Sequence, residues 1–475
     1  MQPAGADSRH LGLKALAVWL AGLLLPGCWG LATRNEEAAR RDIRVTRQAY
    51  RPKDAKPALP ALTAASSLSD LIHYALLNSP GVEAAFYDWK GTVETITTAR
   101  SLPDPMLNFN AEIVGDLRAL TPILMTDPMS NWPGPGKLPL RAEAAYQQAV
   151  GKRAVFEGEL LAAALAVKRA YYQMWVLEQQ VLFARRSLEL VEDMESLARE
   201  RMAVGKVTEQ DVLRAQMEKD RLKNQLANLQ DFRKPVTARL RSALGIGPKE
   251  AMPELAFRLD DNQQEFTEQS LLDVAYARNP RLKEMRSEVQ QAIALYQLAQ
   301  KSTVPDYSFG LGVNVKASPA PLMPMAGITL PMWRDKIAAE IARDRAGVQA
   351  AKAKLSKEEL DLAVRFAETA FTWREADRNV KLYGKRLIPK AEASVDCARA
   401  GYVVGISGFL DLLEAEKTLL DYRLDHAEAA GRREIALAEM SLMILGRWPE
   451  NVAAILPPSA PNAGNVVRQE GGSEQ

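Results

Sequence analysis

The chain has 475 residues, 47% of them hydrophobic and 25% charged, the composition of a folded protein and not of a disordered one. A single compact core seldom grows this large, so several domains or an elongated shape are expected. A formal net charge of +2 gives no reason to expect nucleic acid or an acidic substrate as a partner.

The predicted elements begin with an export signal. Arg9, His10 and Lys14 precede an apolar run over residues 15–25. A bilayer span needs about 20 residues, so this run has the length of a signal h-region. It ends in Leu25-Pro26-Gly27-Cys28, which resembles a bacterial lipoprotein signal. That resemblance implies removal of residues 1–27 and lipidation of Cys28, whose acyl chains would enter outer-membrane lipid. Ordinary signal cleavage nearby is the alternative. Cys397, in an Ala-rich helical stretch, reads as a small buried residue, and two cysteines make no disulfide framework. After the signal no apolar run of 18 or more residues follows, so no membrane-crossing helix is expected. Residues 28–66 read as a basic, Pro-containing linker.

The remainder is written twice, over residues 67–247 and 248–447, with 448–475 left as a tail expected to be disordered. Leu71, Ala75 and Pro80 match Leu271, Ala275 and Pro280 at an offset of 200. The same offset returns where Val204-Gly205, Asp211, Leu213 and Ala215 match Val404-Gly405, Asp411, Leu413 and Ala415. Each half opens with a helical segment, 68–101 or 270–302, stopped by Pro103 or Pro305. A strand hairpin follows, near 104–133 in the first half and 305–333 in the second. Leu107, Phe109, Ala111 and Ile113 alternate with Asn108, Asn110 and Glu112, and Tyr307, Phe309, Leu311, Val313 and Val315 alternate with small or polar residues. Period two marks strands with one apolar and one wet face. Second strands are expected near 121–125 and 326–332, with Trp132 and Trp333 closing the hairpins at a membrane interface.

Very long helices come next. Leu362, Phe366, Thr369, Trp373, Ala376, Val380, Tyr383 and Leu387 step by four and three, as do Leu177, Val181, Ala184, Leu188 and Val191. Such a period means coiled-coil packing. Pro389 is expected to kink its helix, Gly205 and Gly405 to break each half's helices into pairs, and Gly245, Gly247 and Gly446 to end the halves. Four strands per chain cannot close a barrel alone, because single-chain bacterial barrels start at about eight. An open edge in lipid would leave backbone groups unpaired, so copies of the chain must pool strands.

The order of elements, the openings Asn78-Ser79-Pro80 and Asn279-Pro280, and the segments from Val204-Gly205 to Leu213 and from Val404-Gly405 to Leu413 resemble the TolC-type outer-membrane efflux family over about residues 68–447. The resemblance implies a mainly α fold with a membrane β-barrel part, closing as a homotrimer with a shared twelve-stranded barrel above a coiled-coil α-helical barrel. It implies a passive exit duct docked to a periplasmic adaptor and an inner-membrane pump, of RND type if the heavy-metal branch applies. Trp132-Pro133-Gly134-Pro135-Gly136-Lys137 with Arg141-Ala142-Glu143-Ala144 is similar to the strand-to-helix junction of heavy-metal-efflux members, which makes metal cations or drugs the expected cargo. Carried over from the family, Asp411 and Glu414 ring the periplasmic aperture, and Asp211 and Tyr402 form a hydrogen-bonded pair that holds it shut. A second family lock uses an Arg where this chain has Ser407. Asp211 and Asp411 read equally as helix caps.

No catalytic, cofactor or metal motif is found: the three histidines, His10, His73 and His426, have no metal-site spacing, and Gly136-Lys137 is not a phosphate loop. A protein-secretion duct fits the same family pattern. A periplasmic coiled-coil scaffold or adaptor would explain heptads and export but not two alternating strands of bilayer length.

Overall fold

The computed structural model describes residues 32–114, 116–126, 132–252, 255–259 and 268–444; the export signal with Cys28, Gly446 and the tail lie outside them. Helix α1 (Arg34–Tyr50) leads into α2 (Leu68–Asn78), α3 (Pro80–Arg100), β1 (Pro105–Val114), β2 (Asp116–Thr126), α4 (Lys137–Ala203) and α5 (Glu209–Leu244). The same order follows in α6 (Glu268–Arg278), α7 (Pro280–Gln300), β3 (Tyr307–Val313), β4 (Leu322–Ile328), α8 (Arg334–Leu382), α9 (Ile388–Val404) and α10 (Phe409–Ile444).

Each opening helix expected from the pattern is two helices. Pro80 and Pro280 sit at the first position of α3 and α7, where a missing N–H costs nothing and the preceding residue is held extended. Ser67 and Asp70 form a capping box at the start of α2. An Asn stands just upstream of each proline and bonds across its half. Asn78 Nδ2 donates to the carbonyls of Leu244 and Gly245 at 3.1 and 3.0 Å, and Asn279 Nδ2 donates to the Met443 carbonyl at 3.4 Å. An amide on the opening helix pair thus closes the C-terminus of each half's last helix, whose carbonyls have no partner of their own. Gly245, at φ 70°, is required there, since a Cβ would lie 2.6 Å from the Asn78 carbonyl oxygen.

The segment 28–66 is more than a linker, because it contains the 17-residue α1. Glu36 on α1 is buried and accepts from Arg100 and Arg40 and from the Thr97 hydroxyl at 2.7 Å. Burial alone would raise its pKa, but these donors outweigh it and hold the carboxyl at about 2. Tyr50 ends α1 inside the main core, 5.4 Å from Phe86 and 5.7 Å from Phe156, with Trp89 stacked on Phe156. Leu71, Leu76, Val82, Ile96, Leu160, Val167, Leu240 and Leu244 complete that core, which belongs to the first half.

The strands form one antiparallel sheet in the order β1-β2-β3-β4. Leu107, Leu124, Leu311 and Pro324 lie opposite one another on one face, and Met106, Met125, Gly310 and Met325 on the other. β3 is shorter than the alternation to Val315 suggested, and β4 lies upstream of its expected 326–332. Pairing explains this: Tyr307 is opposite Ile328, so residues beyond Ile328 have no β3 partner.

Helix α4 runs 67 residues, about 100 Å at 1.5 Å each. The matching helix of the second half is interrupted between α8 and α9 by a π turn at Tyr383–Leu387, where the Ile388 N–H bonds the Tyr383 carbonyl five residues back. Pro389, with no N–H to give, follows at once. The turn adds one residue to the helical count. Carrying the four-three alternation past Leu387 would bury 390, 394, 397 and 401, whereas the buried residues are Ala391, Val395 and Tyr402, each one later. This slip corrects the reading of Cys397, which is a free and exposed thiol.

Candidate functional site at the helical tip

The site is built by two turns of the same kind. After α4, Gly205 takes φ 73° and the Lys206 N–H returns to the Arg201 carbonyl at 2.9 Å. After α9, Gly405 takes φ 84° and the Ile406 N–H returns to the Gly401 carbonyl at 2.8 Å. Both are helix ends closed through a left-handed residue, a conformation glycine adopts without the Cβ penalty. The turns reverse the chain and bring the ends of four helices together. Met194, Ala198, Val212, Ala215, Tyr402, Phe409, Leu412 and Leu413 form one buried cluster drawn from α4, α5, α9 and α10.

Tyr402 is at its centre. Its ring meets Phe409 edge-on at 5.8 Å, and the Arg201 guanidinium lies 4.6 Å from the ring centroid while donating to the Val403 carbonyl. Burial, reinforced by the Asp211 carboxylate and opposed by Arg201, raises the hydroxyl's pKa above its ordinary value. The expected Asp211–Tyr402 hydrogen bond is not formed: the hydroxyl is buried and has no partner among the described residues. The Asp211 carboxylate instead pairs with Arg214 at 3.6 Å and lies 3.5 Å from the Thr208 hydroxyl. Arg201 was missed by the sequence reading because the family's missing Arg was sought only at position 407; the guanidinium comes from the opposite helix pair.

Asp411 is exposed and accepts the Gly408 N–H at 2.9 Å, so it closes the first turn of α10; Glu414, one turn on, is exposed. Ser407 donates its N–H to the Gly401 carbonyl at 3.2 Å. Carboxylates fasten the helix pairs just behind the tip. Glu195 on α4 is buried and bonds Lys219, Gln216 and Arg199; the Lys219 hydrogen bond leads in holding its pKa at about 2, against the opposing effect of burial. Glu218 on α5 reaches Lys417 on α10 at 2.9 Å. Beyond these, Val204 and Ile406 project into solvent, Ile406 at 86% exposure.

At the sheet end, Trp132 pairs with Tyr307 and lies edge-on to Phe309 at 5.4 Å, whereas Trp333, 78% exposed, occupies the N-cap position of α8. Lys137 bonds Asp306 at 2.7 Å, tying the start of α4 to the entry of β3. Among the described residues no helix is long and apolar enough to cross a membrane.

The profile of the outer membrane efflux protein family matches residues 271–444. No curated protein matches the chain. A solved membrane protein from Pseudomonas aeruginosa aligns with TM-score 0.70 at 17% identity, covering 83% of this chain and 97% of its own. The Neisseria gonorrhoeae MtrE outer membrane channel in its open state aligns with TM-score 0.68 at 17% identity, covering 82% and 93%. The Vibrio cholerae outer membrane protein VceC aligns with TM-score 0.67 at 18% identity, covering 82% and 95%. The second half of this chain therefore carries the outer membrane efflux protein pattern, and over the 82–83% of its length that aligns the chain has the fold of these solved outer-membrane proteins.

Proposed function

We propose that this protein is the exit duct of a tripartite efflux system, seated in the bacterial outer membrane and reaching into the periplasm, where it meets an adaptor and an inner-membrane pump of RND type. One observation carries the reading. A sheet of four strands has two outer edges, β1 and β4, unpaired among the described residues, and its apolar face is exposed at Leu107, Phe109, Phe309, Leu322 and Ile328. In lipid such edges must pair. Three copies of a four-stranded sheet give twelve strands, a size that closes. The apolar face then meets lipid, Trp132 and Trp333 sit at its border, and the helices form the conduit below. Lipid on Cys28 would add an anchor that the barrel does not depend on. The junction at 132–137 favours the heavy-metal branch, with metal cations as cargo. Light scattering of detergent-extracted protein should give three times the protomer mass; a stable monomer with full β content would sink the proposal.

The periplasmic gate, in this reading, is centred on Tyr402, with Asp211 nearby and the exposed Asp411 and Glu414 forming acidic rings that favour cations. Arg201 replaces the cation absent at Ser407. A guanidinium over a ring is worth about 0.5–2 kcal/mol per copy. In planar bilayers Arg201→Ala should conduct more than wild type, and Tyr402→Phe, which keeps the ring, should resemble wild type. If Tyr402→Phe alone opens the channel, hydroxyl pairing with Asp211 carries closure instead. If neither variant changes conductance, the gate lies elsewhere.

A further inference from the structure

The sheet sorts its apolar residues by chemical type. On the face read as lipid-facing stand Leu107, Phe109, Leu124, Phe309, Leu311, Leu322 and Ile328, with no methionine. The opposite face carries Asn108, Asn110, Glu112 and Ser308, a single branched aliphatic residue, Ile123, and all four of the sheet's methionines: Met106, Met125, Met323 and Met325. Hydrophobicity alone gives no reason for methionine to be confined to this face, since more residues like Ile123 would fill the same volume with a stiffer side chain. A thioether differs from them in being a soft, neutral, polarisable donor.

Three of these methionines stand in one row. Met106 lies opposite Met125, Met125 opposite Gly310, and Gly310 opposite Met325. Residues directly opposite share a face and are neighbours about 5 Å apart. The row's fourth position is a glycine, and its emptiness is used. A Cβ on Gly310 would come within 3.1 Å of Met125 Cβ and 3.2 Å of Met325 Cε, so the Met325 side chain lies across the glycine towards Met125. Met323 repeats this one step along, its Cε 3.5 Å from where a Cβ of Gly312 would stand. The side chains remain in reach of solvent, with Met325 at 40% exposure. Among the described residues no group of three His, Cys, Asp or Glu is placed to hold a metal.

We infer that the row Met106, Met125 and Met325 is a binding site for soft monovalent metal cations, Ag⁺ or Cu⁺, on the water-facing side of the sheet near its junction with the helices. Two or three neutral thioethers suit such ions and do not suit Zn²⁺ or Mg²⁺, which take imidazole, thiolate or oxygen donors. Its water-facing placement rests on the proposed membrane reading, but the site is complete within one chain, so silver binding can fail while trimer and gate stand, and the reverse. Neutral thioethers release no proton on binding, so affinity should be the same at pH 5 and pH 8, unlike a His or Cys site.

The test uses full-length protein in detergent with its free thiols, Cys397 included, alkylated, because a thiolate would outcompete thioethers. Ag⁺ is the probe and Zn²⁺ the control. In spectra of protein carrying labelled methionine methyls, Ag⁺ should move the Met106, Met125 and Met325 signals together and Zn²⁺ should move none. Met125→Leu with Met325→Leu should weaken Ag⁺ binding about tenfold or more. Gly310→Ala, which fills the hollow and keeps every sulfur, should weaken it as well. Silver absorption spectroscopy on the wild-type protein reads the ligand atoms without any variant, so misfolding of the Leu variant cannot hide the answer. Sulfur neighbours together with the loss in the Leu variant support the site. Oxygen or nitrogen neighbours only, or shifts scattered over methionines outside the row, overturn it.

Discussion

The two halves of the chain share an order of elements and differ in what covers them. In the first, α4 is buried on several sides: Leu160, Val167, Tyr171, Tyr172 and Met174 are all inside, packed by α3 and α5 of the same half and by α7 and α10 of the other. In the second, α8 buries the seam Leu362, Phe366, Thr369 and Ala376 but leaves a stripe of Leu360, Val364 and Phe371 in solvent, Phe371 at 54% exposure. No counterpart of α1 and its Glu36 anchor stands over the second half among the described residues. Each half leaves apolar residues to be covered, the first at Leu213, Met217 and Phe232 on α5 and the second at the stripe on α8. A closed ring uses two different faces of each protomer, and apolar residues left uncovered on both halves supply them.

The largest expected effect tests that contrast. Phe86→Ala in the first half should lower protomer stability by about 3–5 kcal/mol, as measured by denaturant titration. Phe371→Asp should leave protomer stability within about 0.5 kcal/mol yet abolish the trimer mass in light scattering. Equal losses of stability in both would erase the distinction. Next come the two asparagines. Asn78→Ala strands two carbonyls and should cost about 1–3 kcal/mol, while Asn279→Ala, which breaks one longer bond, should cost about 0.5–1.5 kcal/mol.

A third test addresses the register of the second half. Deleting Lys385 should remove the π turn, restore the uninterrupted heptad and carry Cys397 to the seam. Maleimide labelling of Cys397 should then slow by about tenfold or more, corresponding to a buried thiol. Unchanged labelling would mean that the slip is not what exposes it. The smallest effect is one of pH. Glu36 and Glu195 are both held at about 2, below their ordinary 4.5, so the stability they contribute is present above pH 4.5 and is lost as pH falls towards 2. Glu36→Gln should flatten the acid limb of a melting curve for the first half, and Glu195→Gln should do so at the tip.

Period and punctuation made most of this legible. Alternation located β1 and β3, heptads located α4 and α8, and the Gly breaks fell where the chain turns. Three features were hidden, for separate reasons. The residues of α1 carry many charges, and its stability comes from Glu36 reaching Arg100, a contact no local pattern contains. The register of β4 depends on its partner strand. The role of Arg201 depends on two helices about 200 residues apart in sequence being clasped at one end. At the tip, sequence correspondence names an Asp211–Tyr402 hydrogen bond, and within this chain the Tyr402 hydroxyl has no partner among the described residues.

The π turn has a mechanical consequence. Above it the second-half helix is phased to one seam, and below it to another that is rotated by about 100°, the angle of one inserted residue. At that point Tyr383 leans on Tyr422 at 5.9 Å, and Gly384 lets His426 sit where a Cβ would come within 2.9 Å of its ring. A continuous helix transmits torque along its whole length. A helix with a wide turn, a proline and a glycine within seven residues winds or unwinds there first. Twist applied at the tip through α9 is thus taken up first at Tyr383–Leu387, whereas α4, unbroken from Lys137 to Ala203, carries it on towards the sheet.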